Sequence, residues 1–421
     1  MTTALDPEHV VPAPGDEPGP PVRTATPAEW VRANLLSSWF NAVLTVLFGA
    51  FLVWVAYRLV WWTFVTADWE IVRRNLRLFM IGRYPGDELW RPWAATYVVA
   101  VLLGLTGGVV ARIGAEERAV RGIVAERRGW FRRFWAVLLL LVIVLSFTGT
   151  WAPRALLAGA IAALVVVRQA ARRIPPAVGR FWWVAVILGL YGALRLLEGC
   201  GRGCGWDKWG GLHLTLFMTV GGIVLAFPIG LLLALGRRSS LPAVRLLSIG
   251  YIEAFRGVPL ITLLLMGQFV VGFFVPTDFS RPSFVTRALI AIVIFEAAYI
   301  AEVVRGGLQA VPRGQYEAGQ ALGLSPWKVT RRIVLPQALR AVIPAMVSQF
   351  ISLYKDTSLL SIISLFELLT VAQTVLSQPD FLARGLAPVT LAFAGFAYWV
   401  GSYTMSRESQ ALERRLGVGE R

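Results

Sequence analysis

Three places in this chain put charged or amide side chains inside otherwise apolar sequence. The first is Glu253-Ala254-Phe255-Arg256-Gly257-Val258-Pro259. Glu253 and Arg256 are three apart and share a helix face. Gly257 and Pro259 are poor helix-interior residues and predict a break partway through the run. Amides freed at such a break can meet a carboxylate; the competing reading is a kink with a local ion pair. The second place is Ser348-Gln349-Phe350, followed by Lys355-Asp356-Thr357-Ser358. Gln349 lies about nine residues into its run, ~13 Å at 1.5 Å per residue. An amide there can donate to and accept from a zwitterion, or pack against a neighbouring subunit. Lys355 and Asp356 are adjacent, point to different helix faces and need separate partners. The third place is Glu296, Glu302 and Arg305. Glu302 and Arg305 suit an i, i+3 pair near the end of a run. Glu296 lies deeper and needs a proton or a partner, so it is either a functional acid or an interface residue.

A different chemistry is written into residues 317–336, a polar, basic stretch in an apolar chain. Glu317-Ala318-Gly319-Gln320-Ala321-Leu322-Gly323 is followed, nine residues on, by Ile333-Val334-Leu335-Pro336. This predicts two short helices broken at Gly323, since glycine enters the left-handed region at little cost. Ser325-Pro326 suits a fresh helix start, with Ser as N-cap and Pro at the first position. Pro336 is expected to stop the second helix. Such an elbow suits docking in a groove of a soluble partner, with Glu317 as acceptor and Leu322, Trp327 and Leu335 as apolar anchors.

The spacing resembles the coupling-loop motif of ABC importer permeases: Glu-Ala-Ala, three residues, Gly, nine residues, Ile-x-Leu-Pro. Gly319 departs from it, standing at the third position of the Glu-Ala-Ala triplet. The flanks resemble the polar amino-acid branch of that family. They are Ala298-Tyr299-Ile300-Ala301-Glu302-Val303-Val304-Arg305-Gly306-Gly307, Val311-Pro312-Arg313-Gly314-Gln315-Tyr316, Pro336-Gln337-Ala338, Lys355-Asp356-Thr357-Ser358-Leu359 and Phe255-Arg256-Gly257-Val258-Pro259-Leu260. The resemblance covers residues 212–405 and is nearest to the long permeases of general L-amino-acid importers. It implies a bacterial inner-membrane importer subunit with several partners: separate ABC ATPase subunits, a second, related permease, and a periplasmic amino-acid-binding protein. It also implies an ATPase-coupling role for Glu317, Ala318, Gly319, Gly323, Ile333, Leu335 and Pro336. Glu253, Arg256, Gly257, Glu296, Gln349, Lys355, Asp356, Thr357 and Ser358 are the candidates for the substrate path.

Composition agrees with a membrane protein. The chain has 421 residues, 56% of them hydrophobic, and a mean hydropathy of +0.62, so several spans embedded in lipid are expected. The net charge is +16 and only Lys208, Lys328 and Lys355 are lysines. The arginines gather at the ends of apolar runs, which reads as membrane topology rather than nucleic-acid binding. The two cysteines form no metal framework, and histidine is limited to His9 and His213, which argues against a membrane enzyme. Lys355 and Ser358 form only a weak dyad-like pair for a membrane enzyme. No Walker A motif is present, so ATP and Mg belong to a partner and no cofactor is expected on this chain. The alternative transport reading is a secondary transporter or a channel for small polar solutes, which gives the large basic elbow no task. Cys200 and Cys204 share one short loop; a disulfide and two free thiols both stay open.

The expected architecture is all-α, because only helices or closed barrels satisfy the backbone in lipid. Apolar runs fall near 39–65, 93–111, 134–150, 155–167, 181–197, 212–236, 246–275, 287–304, 340–360 and 386–404. The 155–167 run is short for a span of ~20 residues. The organisation read from this is a disordered cytosolic tail at 1–38, without a cleavable signal peptide, and an N-terminal extension of five spans at 39–197. A periplasmic loop follows at 198–211, then a polytopic helix bundle at 212–405, a type I ABC importer permease core of five spans, with its coupling loop at 305–338, and a cytosolic tail at 406–421. The basic loops 112–133, 168–180, 237–245 and 305–340 fall on one side, which the positive-inside bias makes cytosolic. The loop 66–92, with Arg73, Arg74, Arg77, Arg83 and Arg91, falls on the other side. Within it, residues 68–79 have the amphipathic spacing of a helix lying along the membrane face.

Overall fold

The computed structural model describes residues 26–121, 130–148, 150–175, 179, 181–198, 208–274, 282–382 and 384–416. Among them every regular element is helical. Cys200 and Cys204 lie outside the described residues.

The chain forms two compact units, residues 1–67 and 68–421. In the first, the end of the stretch expected to be a disordered tail folds as α1, Pro27–Asn34. Thr26 accepts from the Glu29 amide while the Glu29 carboxylate accepts from the Thr26 amide, a reciprocal cap that satisfies two end donors. Next comes α2, Trp39–Trp61, extended by a π turn at Trp62–Thr66. This apolar helix buries no residue within the protein, as expected of a span solvated by lipid.

The second unit opens with α3, Glu70–Ile81. Its apolar face, Ile71, Val72, Leu76 and Phe79, is buried. That face packs on protein rather than along a lipid surface, which corrects the amphipathic reading. Four helices follow: α4 (Trp90–Arg121), α5 (Trp130–Phe147), α6 (Trp151–Ala171) and α7 (Trp182–Glu198). α4 packs on both α6 and α7. The short 155–167 run proves to be the middle of a 21-residue helix, long enough to span. Pro153 extends it N-terminally, because proline is tolerated in a first turn.

The remaining helices build the core of this unit. α8 (Gly211–Gly236) and α12 (Phe284–Ala310) form its central pair. Between them, α9 (Pro242–Gly257) and α10 (Leu260–Leu265) meet at a bend of 99°. A π turn, Met266–Val270, then leads into α11, Val271–Phe274. The break falls at Gly257-Val258-Pro259, as the sequence predicts. After α12 come α13 (Arg313–Ala321), α14 (Pro326–Val329), a π turn (Thr330–Val334) and α15 (Leu335–Ala341). α16 (Ile343–Asp356), a 3-10 turn (Thr357–Ser361), α17 (Leu368–Thr374) and α18 (Ala387–Leu416) complete the chain. Residues 406–416, expected in a tail, continue α18.

By length and apolar content, five helices among the described residues qualify as spans, or seven if each of two bent pairs counts once, against ten apolar runs in the sequence. In the shorter α5, Trp135 packs edge-on against Tyr403, midway along α18, and Phe147 meets Trp69 just before α3.

Candidate functional site

The elbow at 313–341 forms as two arms around Gly323, whose φ is +72°. α13 ends at Ala321, and the Leu324 amide donates back to the Gly319 carbonyl at 3.2 Å, closing the helix end. Ser325 is extended and Pro326 opens the second arm, but the Ser325 side chain makes no cap bond. Pro336 does not end this arm. It falls in the first turn of α15, directly after the π turn at Thr330–Val334, whose wider loop removes the need for a proline amide in the ladder. The bend comes later, 59° between residues 341 and 343. A Cβ at Gly319 would lie 2.8 Å from Val329 Cγ2, so the inter-arm contact accounts for the residue that departs from the motif. Gln337 Nε2 donates to Gln315 Oε1 at 3.1 Å and joins the arms again.

The outer surface of the elbow carries Leu322 and Trp327, 78% and 62% exposed. Glu317 and Ala318 are exposed beside them, while Ile333 is half-buried. Leu335, expected as a third anchor, packs into the core cluster that contains Val334 and Ala338, so it holds the elbow to the bundle instead. Arg238, just past α8, donates to the Tyr316 hydroxyl at 2.7 Å and caps its ring.

The substrate-path candidates separate into three groups. Glu296 is fully buried, and Gln349 Nε2 reaches its two carboxylate oxygens at 3.3 and 3.1 Å. These residues, 53 apart in sequence, meet between α12 and α16 in the interior of the bundle. Glu253 and Arg256 do not pair with each other. Glu253 accepts from Arg237 at 3.0 Å and Arg256 turns to Glu302 at 3.7 Å, so both join a charged rim at the elbow end. Gly257 is exposed at the end of α9. In the third group, Lys355 is exposed and Asp356 and Ser358 are half-buried where α16 tightens into a 3-10 turn. Thr357 is fully buried; it donates to the Tyr354 carbonyl at 2.7 Å and meets the Tyr398 hydroxyl at 3.5 Å. Its hydroxyl is bound into the packing rather than presented to a passage.

That packing contains a residue the sequence reading passed over. Glu367 is fully buried and caps α17, accepting from the Leu369 and Thr370 amides, each at 2.7 Å. Tyr398 donates to the same carboxylate at 2.9 Å. The signal available in the sequence was an acid three residues before Thr370 at a helix start. No group of three or more metal-ligating side chains occurs among the described residues.

Residues 226–418 match the family model described as binding-protein-dependent transport system inner membrane component. The inner membrane amino-acid ABC transporter permease protein YhdY of Escherichia coli is 36% identical over 409 residues, 93% of this chain and 93% of that protein. The chain belongs to the amino-acid ABC transporter permeases. The glutamate/glutamine/aspartate/asparagine permease protein BztC of Rhodobacter capsulatus is 33% identical over 94% of this chain and 95% of its own length. The glutamate/aspartate import permease protein GltK of Escherichia coli matches only 49% of this chain but 91% of its own length, at 37% identity. A short permease of this family thus corresponds to about half of the present one. As a permease, the chain is a transport subunit and not an enzyme.

Proposed function

We propose that this permease imports L-amino acids across a bacterial inner membrane, driven by a separate ABC ATPase that docks on residues 313–341. A second, related permease completes the channel, and a periplasmic amino-acid-binding protein delivers substrate to the opposite face. ATP and Mg bind the ATPase, and this chain needs no cofactor of its own. The relatives named for acidic amino acids and their amides favour polar substrates. Glu296 and Gln349 are the candidates that meet the solute within the bundle: a buried carboxylate attracts an ammonium group, and an amide serves either end of a zwitterion.

The observation that carries this reading is the elbow itself. Two exposed apolar side chains on a braced two-arm helix suit a groove on a soluble motor, whereas a channel or a gradient-driven carrier has no use for them. Gly323→Asp is expected to abolish uptake while the protein still reaches the membrane, because a side chain at φ +72° disturbs the junction of the arms. Normal uptake by that variant overturns the coupling role. Competition with labelled glutamate, histidine and leucine fixes the substrate range.

A further inference from the structure

Four ion pairs close over the elbow end of the core. Glu302, on α12, receives Arg305 Nε from its own helix at 2.9 Å. Arg237, just past α8, lies 3.6 Å from the same carboxylate, and Arg256, near the end of α9, lies 3.7 Å away. Arg237 also binds Glu253 of α9 at 3.0 Å. Three guanidinium groups from three helices therefore converge on one carboxylate. The next residue, Arg238, holds Tyr316 of α13, the first arm of the elbow. The path from elbow to span ends is continuous: Tyr316, Arg238, Arg237, Glu302, Arg256. Arg256 further lies over the Tyr299 ring of α12, and its Nε is buried without a partner.

We propose that Glu302 is a positioning residue for energy coupling: it gathers the ends of α8, α9 and α12 so that movement of the docked elbow displaces them together. This rests on the importer reading above. The physical basis is charge balance. With the carboxylate present, each arginine finds an opposite charge; without it, Arg256 and Arg305 lose theirs, Arg237 keeps only Glu253, and the helix ends part. The 99° break directly after α9 lets that helix move independently once the rim is released. Half-buried pairs at a rim still open to water add little to the stability of a fold. Their loss is therefore expected in coupling rather than in folding.

The test uses the complete transporter, with its ATPase, second permease and binding protein, reconstituted in proteoliposomes. Amino-acid uptake and ATP hydrolysis are measured together, and their ratio is the readout. Glu302→Gln is expected to lower uptake per ATP about fivefold or more, in the range of ordinary coupling energies. Glu302→Asp, which keeps the charge, is expected to retain most of the ratio. Arg237→Gln is expected to lower it as well, and Glu302→Gln combined with Arg237→Gln to be no worse than the poorer single variant, because both remove one latch. An unchanged ratio in Glu302→Gln overturns the proposal, as do losses that simply add in the double variant. A misfolded variant loses uptake and hydrolysis together and leaves the ratio of the remaining molecules intact, which also counts against it. A wild-type complex without ATP-dependent uptake overturns the importer reading and this proposal with it.

Discussion

Glu296 and Gln349 are worth more as a pair than as two residues. Removing the amide alone strands a buried carboxylate, which costs about 1–3 kcal/mol or more. Removing both partners leaves no stranded group. Gln349→Leu is therefore expected to lower the thermal stability of the purified protein more than Glu296→Leu combined with Gln349→Leu, with transport lost in both. Equal losses in stability would mean that the hydrogen bonds carry no weight. The sequence marked both residues, because a polar group inside an apolar run stands out. It did not pair them, since nothing in local spacing links positions 53 apart. The same limit explains Glu253 and Arg256. Helical spacing favours a local pair, yet Arg237 and Glu302 offer nearer partners from adjacent helices.

At the scale of elements, α3 shows where periodicity helps and where it stops. Its spacing correctly gave an amphipathic helix. What the apolar face rests on depends on contacts across some three hundred residues. Asn75 and Gln378 exchange hydrogen bonds at 3.2 and 2.7 Å, and Phe79 meets Phe393 edge-on. Asn75→Leu leaves the Gln378 amide unpaired at a half-buried seam and is expected to cost about 1–3 kcal/mol, seen as a lower unfolding temperature. Arg73→Ala, on the exposed face, is expected to stay within about 0.5 kcal/mol. If the two variants melt alike, α3 is not docked by this seam. The breaks at Gly257-Val258-Pro259 and at Gly323 were legible because glycine and proline constrain the backbone directly. The π turn before Pro336 was not, because a proline in sequence does not say whether the ladder ends or widens to admit it.

For the molecule as a whole, the open question from sequence was the basic loop 66–92, whose arginines argue against the side on which the order of spans puts it. The structure places this loop by contact. Gly210 donates to the Ile81 carbonyl at 3.1 Å, so this loop lies at the start of α8. Arg238 and the elbow lie at the other end of that helix, ~39 Å away for 26 residues at 1.5 Å each. Each of the five arginines has a local partner: Arg73 and Arg74 bind Glu70, Arg77 the Tyr84 carbonyl, Arg83 the Phe366 ring, and Arg91 both Glu88 and the Leu196 carbonyl. The elbow, with Arg331 and Arg332 exposed, is expected to lie on the cytosolic side, which puts this loop on the opposite one. In a chain carrying Cys200→Ser and Cys204→Ser, Arg73→Cys is expected to react with a membrane-impermeant maleimide added outside intact cells. Ser325→Cys is expected to react only after the membrane is opened. Labelling of both from one side would mean that α8 does not cross the bilayer between them, and the elbow could not then meet a cytosolic motor while α3 faces the periplasm.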